Sequence, residues 1–417
     1  MKLFPHQVEA LEWIKGKDKV ILALDMGLGK TAIASQTIEE GERVLIICPA
    51  SLKLNWLKEL KVWSNAKKFK VIKKKTEELP KGPGVVIVNY DLLGKKVKKR
   101  AQPNYDFKDF DRVIVDEAHA LKNPTSVRSK IGGKIIKLTP KAILLSGTPM
   151  ERPVDLYVPL FSMGAIEDSY PSFGMKYCDA KRVYLGAREV WQYRGATNTE
   201  ELKERIKPYM LRMLKEDVID LPKKIIKVVG LDLPLSRQEK SYSLSAIIKD
   251  PRPIGFEGLA ELLHEQAIKK LPLAIKHIKM RLEQEEKIFI VARHTDVIDT
   301  LAEKLKEYGV LVFDGRCSAE EKDSIEYAFQ NESKYRLFLG QITACSTGLT
   351  LTAANHVILV EPDWSYSKIA QVIDRTHRIG QKETVTAELL TIADSIDERV
   401  LFTTLEKKGY INDLIGL

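Results

Sequence analysis

Short runs of β-branched and other apolar residues alternate along the chain with longer amphipathic stretches. In the first half these runs predict strands at VILAL (20–24), VLIIC (44–48), VVIVN (85–89), RVIVD (112–116) and AILLS (142–146). The pattern returns at KIFIVA (287–292), VLVF (310–313), RLFLG (336–340), HVILV (356–360) and VTAELL (385–390). Almost continuously apolar runs are typical of parallel strands that are covered on both faces. The pattern therefore predicts an α/β protein with two parallel sheets, one in each half.

Helical spacing fills the intervals between these runs. It predicts helices at 30–40, 52–63, 296–307, 318–330, 366–378 and 395–408. The middle of the chain, residues 150–285, is mostly helical in pattern but carries several prolines. The stretch LPKKIIKVVGLDLPLS predicts an extended connector, because each proline disfavours a continuous helix. We therefore expect a first domain over 1–220 with a helical insertion, a linker over 221–236 and a second domain over 237–417, also with a helical insertion.

Composition excludes several classes of protein. With 417 residues, 44% of them hydrophobic and 30% charged, the chain has ample material for a core. No apolar run approaches the roughly 18 residues that span a bilayer, and the first residues show no secretory signal. Cys48, Cys178, Cys317 and Cys345 lie far apart, which argues against a zinc site or a disulfide framework. A reducing, intracellular setting is the expectation.

The positive charge is concentrated in one stretch. The chain carries a net charge of +10, and residues 53–100 alone carry +11, with 15 basic and 4 acidic residues. Such a patch indicates a polyanion partner, because phosphate neutralisation supplies salt-sensitive affinity. The alternative is a solvated lysine-rich surface without a partner.

A glycine-rich segment follows the first predicted strand directly. In DMGLGKT (25–31), Gly27 and Gly29 let the backbone curl so that amide groups point at phosphate oxygens. Lys30 would reach the β- and γ-phosphates, and the Thr31 hydroxyl would ligate magnesium. The general phosphate-loop pattern is incomplete, since Leu24 stands where a glycine is expected.

Two further groups complete a nucleotide site. The strand RVIVD ends in Asp116, suited to Mg²⁺, and is followed by Glu117, suited to orienting the attacking water. In QVIDRTHRIGQ (371–381), Arg375 and Arg378 would project from one face of a helix. Such a pair could reach a γ-phosphate that the first domain binds; alternatively it is a salt-bridge pair on a helix surface.

The order of these elements resembles a superfamily-two nucleic-acid motor with two RecA-like lobes, and within it the SWI/SNF-type translocases. The motifs that carry the resemblance are FPHQVEALEWI (4–14), DMGLGKT, CPASLKLNWLKEL (48–60), VNYDLL (88–93), DEAHALKN (116–123), LLSGTPMERPVDLY (144–157), TACSTGLTLTAANHVILVEPDWS (343–365) and QVIDRTHRIGQ. DEAH-box RNA helicases share the four-residue DEAH motif, but the chain lacks their QRxGRxGR motif. The stretches FGMKYCDAKR (173–182) and LKERIKPYMLRMLKEDVIDLPKK (202–224) are similar to the annealing-helicase (HepA-related, HARP-like) branch.

The resemblance implies roles for individual residues. ATP and Mg²⁺ would bind between the lobes, with Gln7 contacting the adenine base and Leu28 and Gly348 among the nucleotide-binding residues. The implied nucleic-acid contacts are Ser51, Lys53, Asn55, Thr148, Thr343, Ser346 and Thr347. His119 is expected to couple the ATP site to the next motif, through Thr148 or Gln341.

The function implied is that of an ATP-dependent DNA translocase, a DNA-stimulated ATPase acting on duplex or branched DNA in fork remodelling, branch migration or strand annealing. Two alternatives remain open: a helicase that unwinds single-strand-tailed DNA or RNA, and a nucleotide-switched scaffold without turnover. The scaffold would be indicated by loss of Lys30, Glu117 or Arg378, and all three are present. We expect a minimal, monomeric motor without membrane or zinc, located in the cytoplasm or nucleoid of a prokaryote, in a host cell's cytoplasm if viral, or in a nucleus.

Overall fold

The chain folds into two compact units. The structure, a computed structural model, describes residues 2–185, 188–243, 258–345 and 348–415. One unit extends to Ile219 and the other from Asp220 to Lys408, and residues 409–415 group with the first. No helix in these described ranges is both long and apolar enough to cross a membrane.

A parallel sheet forms the centre of the first unit. Its helices and strands are α1 (Pro5–Ile14), β1 (Lys19–Leu24), α2 (Lys30–Gln36), β2 (Arg43–Cys48), α3 (Lys53–Trp63), β3 (Phe69–Val71), β4 (Gly84–Asn89), β5 (Gly94–Val97), β6 (Arg100–Pro103), β7 (Arg112–Asp116), α4 (Val127–Leu138), β8 (Lys141–Leu145), α5 (Tyr157–Met163), α6 (Tyr170–Tyr177), β9 (Ala180–Leu185), β10 (Arg188–Tyr193), α7 (Thr199–Ile206), β11 (Met210–Met213) and α8 (Lys215–Val218). The strand order is β11-β1-β8-β7-β2-β4-β3, and every neighbouring pair is parallel. The pairs β5–β6 and β9–β10 form separate antiparallel ribbons.

The second unit is built around another parallel sheet. The rest of the chain contains β12 (Lys224–Leu231), α9 (Arg237–Lys240), α10 (Leu259–Leu282), β13 (Ile288–Ala292), α11 (Thr295–Lys304), β14 (Val310–Phe313), α12 (Ala319–Asn331), β15 (Leu337–Gln341), α13 (Ile342–Cys345), β16 (His356–Leu359), α14 (Tyr366–Ile373), β17 (Val385–Ile392) and α15 (Ile396–Ile415). The strand order is β12-β17-β16-β13-β15-β14, again with every pair parallel. The predicted α/β class with two parallel sheets is therefore confirmed.

Strand β13 shows why the apolar runs were informative. Its side chains alternate between two hydrophobic clusters: Phe289 and Val291 pack into one, and Ile288 and Ile290 into the other. All four are buried, because helices cover both faces of the sheet. A strand covered on both faces needs an unbroken apolar sequence, which is the pattern that predicted it.

The middle of the chain differs from its helical prediction. The strand β11 pairs with β1 in the register Leu22↔Leu211, and Ala180–Leu185 and Arg188–Tyr193 form the β9–β10 ribbon. Residues 224–231, inside the segment predicted as a linker, form the edge strand β12, in the register Lys224↔Val385. Both β11 and β12 pair with strands that are remote in sequence, and that tertiary pairing, rather than local periodicity, decides their conformation.

A buried carboxylate lies in the second sheet. Glu388 on β17 is fully buried and contacts His277 Nε2 at 2.6 Å, His356 Nε2 at 3.2 Å and the Arg281 guanidinium. Burial raises the pKa of this carboxyl group, but the hydrogen bonds from these three side chains outweigh it and hold the pKa at about 2. The ionised carboxylate therefore stabilises the folded unit.

We predict that this group makes stability depend on acidity. Because the folded pKa lies below the ordinary value of 4.5, its contribution is complete above pH 4.5 and is lost as the pH falls toward 2. Glu388→Gln should destabilise the chain by about 3–5 kcal/mol and flatten this pH dependence, since the cationic partners lose their buried counter-charge. Urea unfolding followed by circular dichroism across this pH range measures both effects.

The matched control is Glu307→Gln, which removes an exposed carboxylate paired with Lys279 at 2.9 Å. An exposed pair contributes about 0–1 kcal/mol, so its pH profile should follow that of the unaltered chain. Equal pH profiles for both variants would contradict the role of Glu388.

Candidate functional site

A tight loop joins β1 to α2 at the carboxyl edge of the first sheet. Gly27 and Gly29 adopt left-handed conformations, with φ of 85° and 75°. A Cβ atom at Gly29 would lie 2.1 Å from Gln7 Nε2, so a side chain there would displace the Gln7 amide. The left-handed conformation and the close approach both favour glycine, as the phosphate-loop prediction expects.

Helix α1 is fixed to this loop by its side chains. Gln7 is buried; its Nε2 donates to the Leu28 carbonyl at 3.3 Å, and its Oε1 accepts from the Phe4 amide at 3.0 Å. His6 Nε2 lies 3.1 Å from the same Leu28 oxygen. The Gln7 amide retains one N–H donor and one acceptor lone pair. A donor and an acceptor of this kind are what a hydrogen-bonded contact to the edge of an adenine base would need.

Lys30 lies at the centre of the site. Its ammonium donates to the carbonyls of Leu24 at 2.7 Å and Asp25 at 3.1 Å. Burial lowers the pKa of Lys30, and the nearby charges of Glu117, Asp116 and Asp25 oppose that shift. The glycine loop and the adjacent carboxylates of the next motif therefore form one electrostatic cluster.

Asp116 ends β7, between β2 and β8, and its carboxylate is held from two sides. Oδ2 accepts from the Trp56 indole N–H at 2.8 Å, and Oδ1 accepts from the Glu117 amide at 2.9 Å. Burial and the Glu117 charge raise the pKa of Asp116 to about 6, while the Trp56 hydrogen bond and the Lys30 charge oppose the increase. Trp56 lies within the predicted helix 52–63, but its hydrogen bond to Asp116 was not predicted, because that partner belongs to strand β7, remote in sequence.

Tyr90 is a second orienting residue that sequence analysis missed. Its hydroxyl donates to the Asp116 carbonyl at 2.5 Å, with the Glu117 carbonyl at 3.2 Å. Burial raises the pKa of Tyr90, and the carboxylates of Asp116 and Glu117 raise it further, so it stays a neutral donor. Glu117 itself has a φ of 51°, a left-handed conformation that this contact helps to fix. The available signal was the position of Tyr90 directly after the VVIVN strand.

His119 joins the carboxylates to the segment after β8. Its Nδ1 lies 3.2 Å from Glu117 Oε2 and 3.3 Å from Ser146 Oγ, and Ser146 Oγ accepts from the Thr148 amide at 3.2 Å. The expected direct partner was Thr148 or Gln341; the observed link runs through Ser146. The Thr148 hydroxyl is buried without a hydrogen-bond partner among the described residues.

Arg212 extends the cluster and was not predicted. Its guanidinium contacts Asp25 Oδ1 at 2.7 Å and donates to the Ala23 carbonyl at 2.7 Å. It is carried by β11, a strand that the sequence pattern indicated as helical. Because this segment was predicted as a helix, the contact of Arg212 with the glycine loop was not predicted.

The predicted nucleic-acid residues of the first unit differ in exposure. Ser51 and Asn55 are exposed near the start of α3. Lys53 is half-buried, and its ammonium donates to the Ile72 carbonyl and to Asn89 Oδ1, both at 3.0 Å. Lys53 thus connects α3 to the end of β4 in this structure.

The arginine pair lies in the second unit, but not on a helix as predicted. Helix α14 ends at Ile373, and Arg375 and Arg378 lie in the turns that follow. Arg375 Nη1 donates to the Leu349 carbonyl at 3.4 Å, and Arg378 Nη1 donates to Thr350 Oγ1 at 3.2 Å. After Ile373 the backbone forms turns: the Arg375 amide donates to the Val372 carbonyl at 3.0 Å, and the Arg375 carbonyl accepts from the Leu351 amide at 2.8 Å.

Opposite charges lie close together around the 348–350 segment. Burial lowers the pKa of Arg378, and the carboxylates of Asp374 and Glu326 oppose that shift. Glu326 Oε1 accepts from the Thr350 amide at 2.9 Å, and burial raises the pKa of this carboxyl group. Gly348, with a φ of 70°, begins the segment that the arginines contact.

The remaining predicted residues of the second unit are more scattered. Thr343 is exposed on α13, and Gln341 Nε2 donates to the Arg293 carbonyl at 3.3 Å. Ser346 and Thr347 lie outside the described residues. The meeting of Arg375 and Arg378 with the glycine loop across two units stays a prediction.

Comparison with known proteins agrees with these motifs. The model of the SNF2-related domain matches residues 6–284, and that of the helicase conserved C-terminal domain matches residues 268–380. The DNA annealing helicase and endonuclease ZRANB3 of Mus musculus is 31% identical over 98% of the chain and 40% of its own length. The SWI/SNF-related matrix-associated actin-dependent regulator of chromatin subfamily A-like protein 1 of Xenopus laevis is 31% identical over 100% of the chain and 44% of its own length.

Among solved structures, the Sulfolobus solfataricus SWI2/SNF2 ATPase core in complex with dsDNA matches with 24% identity and a TM-score of 0.44, covering 100% of this chain and 97% of that one. The chain spans roughly two fifths of the length of the curated relatives named above. Because the family model covers well over half of the sequence, from the Gln7 region through the whole first unit, the chain belongs to the SNF2-related family.

Proposed function

We propose that the chain is a DNA-stimulated ATPase that moves along duplex or branched DNA and serves fork remodelling, branch migration or strand annealing. The observation that carries the proposal is the convergence of Lys30 with Asp116 and Glu117 beside a left-handed glycine loop. A cation for phosphate, a carboxylate for Mg²⁺ and a carboxylate for water are the groups that phosphoryl transfer needs. The choice of DNA follows from the relatives, one of which is named a DNA annealing helicase.

ATP fits the residues around the glycine loop. The loop amides between Gly27 and Thr31 and the Lys30 ammonium supply donors for phosphate oxygens. Gln7, held against Leu28, would contact the adenine base with the donor and acceptor that its amide retains. Gly348 in the second unit is the further nucleotide contact that we propose.

Mg²⁺ fits Asp116 and the Thr31 hydroxyl. Each carboxylate oxygen of Asp116 already accepts one hydrogen bond, which fixes its orientation and leaves lone pairs for a cation. The pKa of Asp116 is raised by burial and by Glu117, a repulsion that a divalent cation would offset. When bound, Mg²⁺ neutralises charge on the β- and γ-phosphates.

Glu117 is positioned to orient or deprotonate the attacking water. Its backbone is fixed by Tyr90, and its carboxylate lies 3.2 Å from His119. Arg375 and Arg378 would stabilise the charge that develops on the γ-phosphate, so hydrolysis would require both units. His119, through Ser146, and Gln341 are the proposed couplers between the ATP site and the nucleic-acid contacts.

The nucleic-acid contacts should be to phosphates, because a translocase must not select sequence. The proposed contacts are Ser51, Lys53, Asn55, Thr148, Thr343, Ser346 and Thr347. We propose a monomer that is located in the cytoplasm or nucleoid of a prokaryote, in a host cell's cytoplasm if viral, or in a nucleus if eukaryotic. An ATPase assay comparing duplex, single-stranded, forked and four-way DNA with RNA tests the substrate class; stimulation by RNA equal to that by duplex DNA would favour a helicase of the alternative kind.

We predict that Lys30→Ala and Glu117→Gln each abolish DNA-stimulated hydrolysis. The first removes the phosphate-binding cation and the second the group that activates water, while Glu117→Gln keeps the shape of the side chain. Phosphate release at saturating duplex DNA measures the loss. Glu59→Gln, at a half-buried position on α3, is the control and should retain activity. Turnover near the unaltered rate in either site variant would refute the assignment.

Arg378→Ala should slow hydrolysis by about 10³–10⁵-fold, which is what an arginine finger supplies, and leave ATP affinity largely intact. Single-turnover hydrolysis and equilibrium binding of a fluorescent ATP analogue separate the two effects. Arg237→Ala in the same unit removes an exposed arginine and is the matched control. An unchanged hydrolysis rate for Arg378→Ala would remove this residue from the site.

Tyr90→Phe should lower kcat and leave the affinity for ATP unchanged, because it deletes only the hydrogen bonds to the backbone of Asp116 and Glu117. A loss of about 10-fold corresponds to about 1.4 kcal/mol of transition-state stabilisation. Tyr105→Phe, whose hydroxyl donates to the Lys74 carbonyl at 3.0 Å, is the control. A change in KM with an unaltered kcat would argue against a positioning role for Tyr90.

A further inference from the structure

The antiparallel ribbon β5–β6 lies outside the main sheet of the first unit. We name it the basic hairpin (residues 94–103), with Val97 paired to Arg100 at its tip. All cationic side chains of the hairpin are exposed, and no acidic residue lies among them in the sequence. They are Lys95, Lys96, Lys98, Lys99 and Arg100. An isolated two-stranded ribbon is at best marginally stable, so this one needs support from its base or from a partner.

The structure divides the lysine-rich stretch 53–100 into two kinds of residue. Some lysines there are paired within the fold, such as Lys67 with Glu40 and Lys70 with Glu77. The cations of the basic hairpin instead have no ion pair and no side-chain hydrogen bond within the part of the chain that the structure describes. Seven other lysines, spread along residues 58–81, are also without an ion pair among the described residues. The hairpin differs from them because it carries five unpaired cations within six consecutive residues, 95–100.

The two residues at the tip of the hairpin adopt a backbone conformation that lysine disfavours. Lys98 and Lys99 both have positive φ, 42° and 66°, as in a type I′ turn. Such turns favour Asn-Gly or similar pairs, because a side chain is strained in this conformation. Two adjacent ammonium groups add electrostatic repulsion. A polyanion that binds at the tip is a physical reason for cations at these positions, since it would remove that repulsion.

The base of the hairpin is rigidly attached. A Cβ at Gly94 would lie 2.1 Å from Ile131 Cδ1 and 2.4 Å from the Gln102 carbonyl oxygen, so the first strand lies directly on α4. Tyr90, shortly before the hairpin, is tied to the Asp116 backbone. The ribbon thus projects from a fixed point beside the ATP site.

More positive charge lies next to this base. A cavity of 150 Å³ between β6 and α4 is lined by Lys108, Lys130 and Lys134 together with a single carboxylate, Asp106. These lysines are exposed and extend the positive surface of the hairpin along the helix.

We propose that the basic hairpin binds the phosphate backbone of duplex DNA, as a contact in addition to the motor motifs. The proposal rests on the proposed function, because it presupposes a DNA substrate. Lysines at the tip are point-charge donors that bind phosphate without reading bases. A hairpin of this kind adds salt-sensitive affinity for any sequence, which suits a motor that moves along DNA.

The test replaces Lys95, Lys96, Lys98 and Lys99 with Gln and measures duplex binding by fluorescence anisotropy over a series of salt concentrations. We expect a dissociation constant at least tenfold weaker at low salt. The slope of log affinity against log salt should fall by about 0.9 for each phosphate that the hairpin no longer neutralises. Hydrolysis of ATP without DNA should stay unchanged. The control replaces Lys276, Lys304, Lys306 and Lys334, exposed in the second unit, and should retain the original slope.

A second variant separates charge from folding. Lys98→Asn with Lys99→Gly introduces the dipeptide that type I′ turns favour, so the hairpin stays folded while two of its charges are removed. Its salt slope should fall by less than that of the four-Gln variant. Binding of duplex DNA with the original affinity and slope by either variant overturns the proposal, as does a weakening confined to duplex RNA. If the unaltered chain binds duplex DNA through the hairpin but shows no DNA-stimulated hydrolysis, only the proposed function fails.

Discussion

The burial of the Asp116 carboxylate is the constraint on which the rest of the first unit depends. A carboxylate at the end of a central strand costs free energy unless other groups hold it, and its pKa of about 6 reflects that cost. Two elements stabilise the carboxylate itself: Trp56 from α3 by a hydrogen bond and Lys30, at the start of α2, by its charge. A third, the segment after β4, contributes Tyr90, whose hydroxyl holds the backbone carbonyl of the same residue. Each element must reach the same point, so the satisfaction of one buried charge fixes the geometry of the whole edge of the sheet.

In the second unit, two arginine side chains are likewise held in place by contacts within the fold. Arg375 and Arg378 contact the backbone and hydroxyl of the 348–350 segment, so they are already ordered by protein acceptors. An arginine that is held in this way loses less conformational freedom when it meets a phosphate. The carboxylate of Glu326, which contacts the Thr350 amide, balances their charge from the other side of the segment.

Charge is distributed unevenly for a related reason. The cations near the glycine loop, Lys30 and Arg212, are half-buried and lie close to carboxylates, whereas those of the basic hairpin are exposed and unpaired among the described residues. Exposed cations cost little in water and remain free to attract an anion, while buried ones must be neutralised within the fold. Cationic residues therefore serve structure at the glycine loop and are available to an anion at the hairpin.

The sequence by itself determined the sheets, the glycine loop and the Asp116–Glu117 pair, because each is encoded in neighbouring residues: an apolar run, two glycines before a lysine, two carboxylates after a strand. Only the tertiary structure decided the strands β11 and β12, which pair with residues far along the chain, and the end of α14 before Arg375. The orienting roles of Tyr90, Trp56 and Arg212 were also beyond local pattern. Their hydrogen-bond partners lie 26, 60 and 189 residues away, respectively, and a sequence motif carries no information about contacts at such separations.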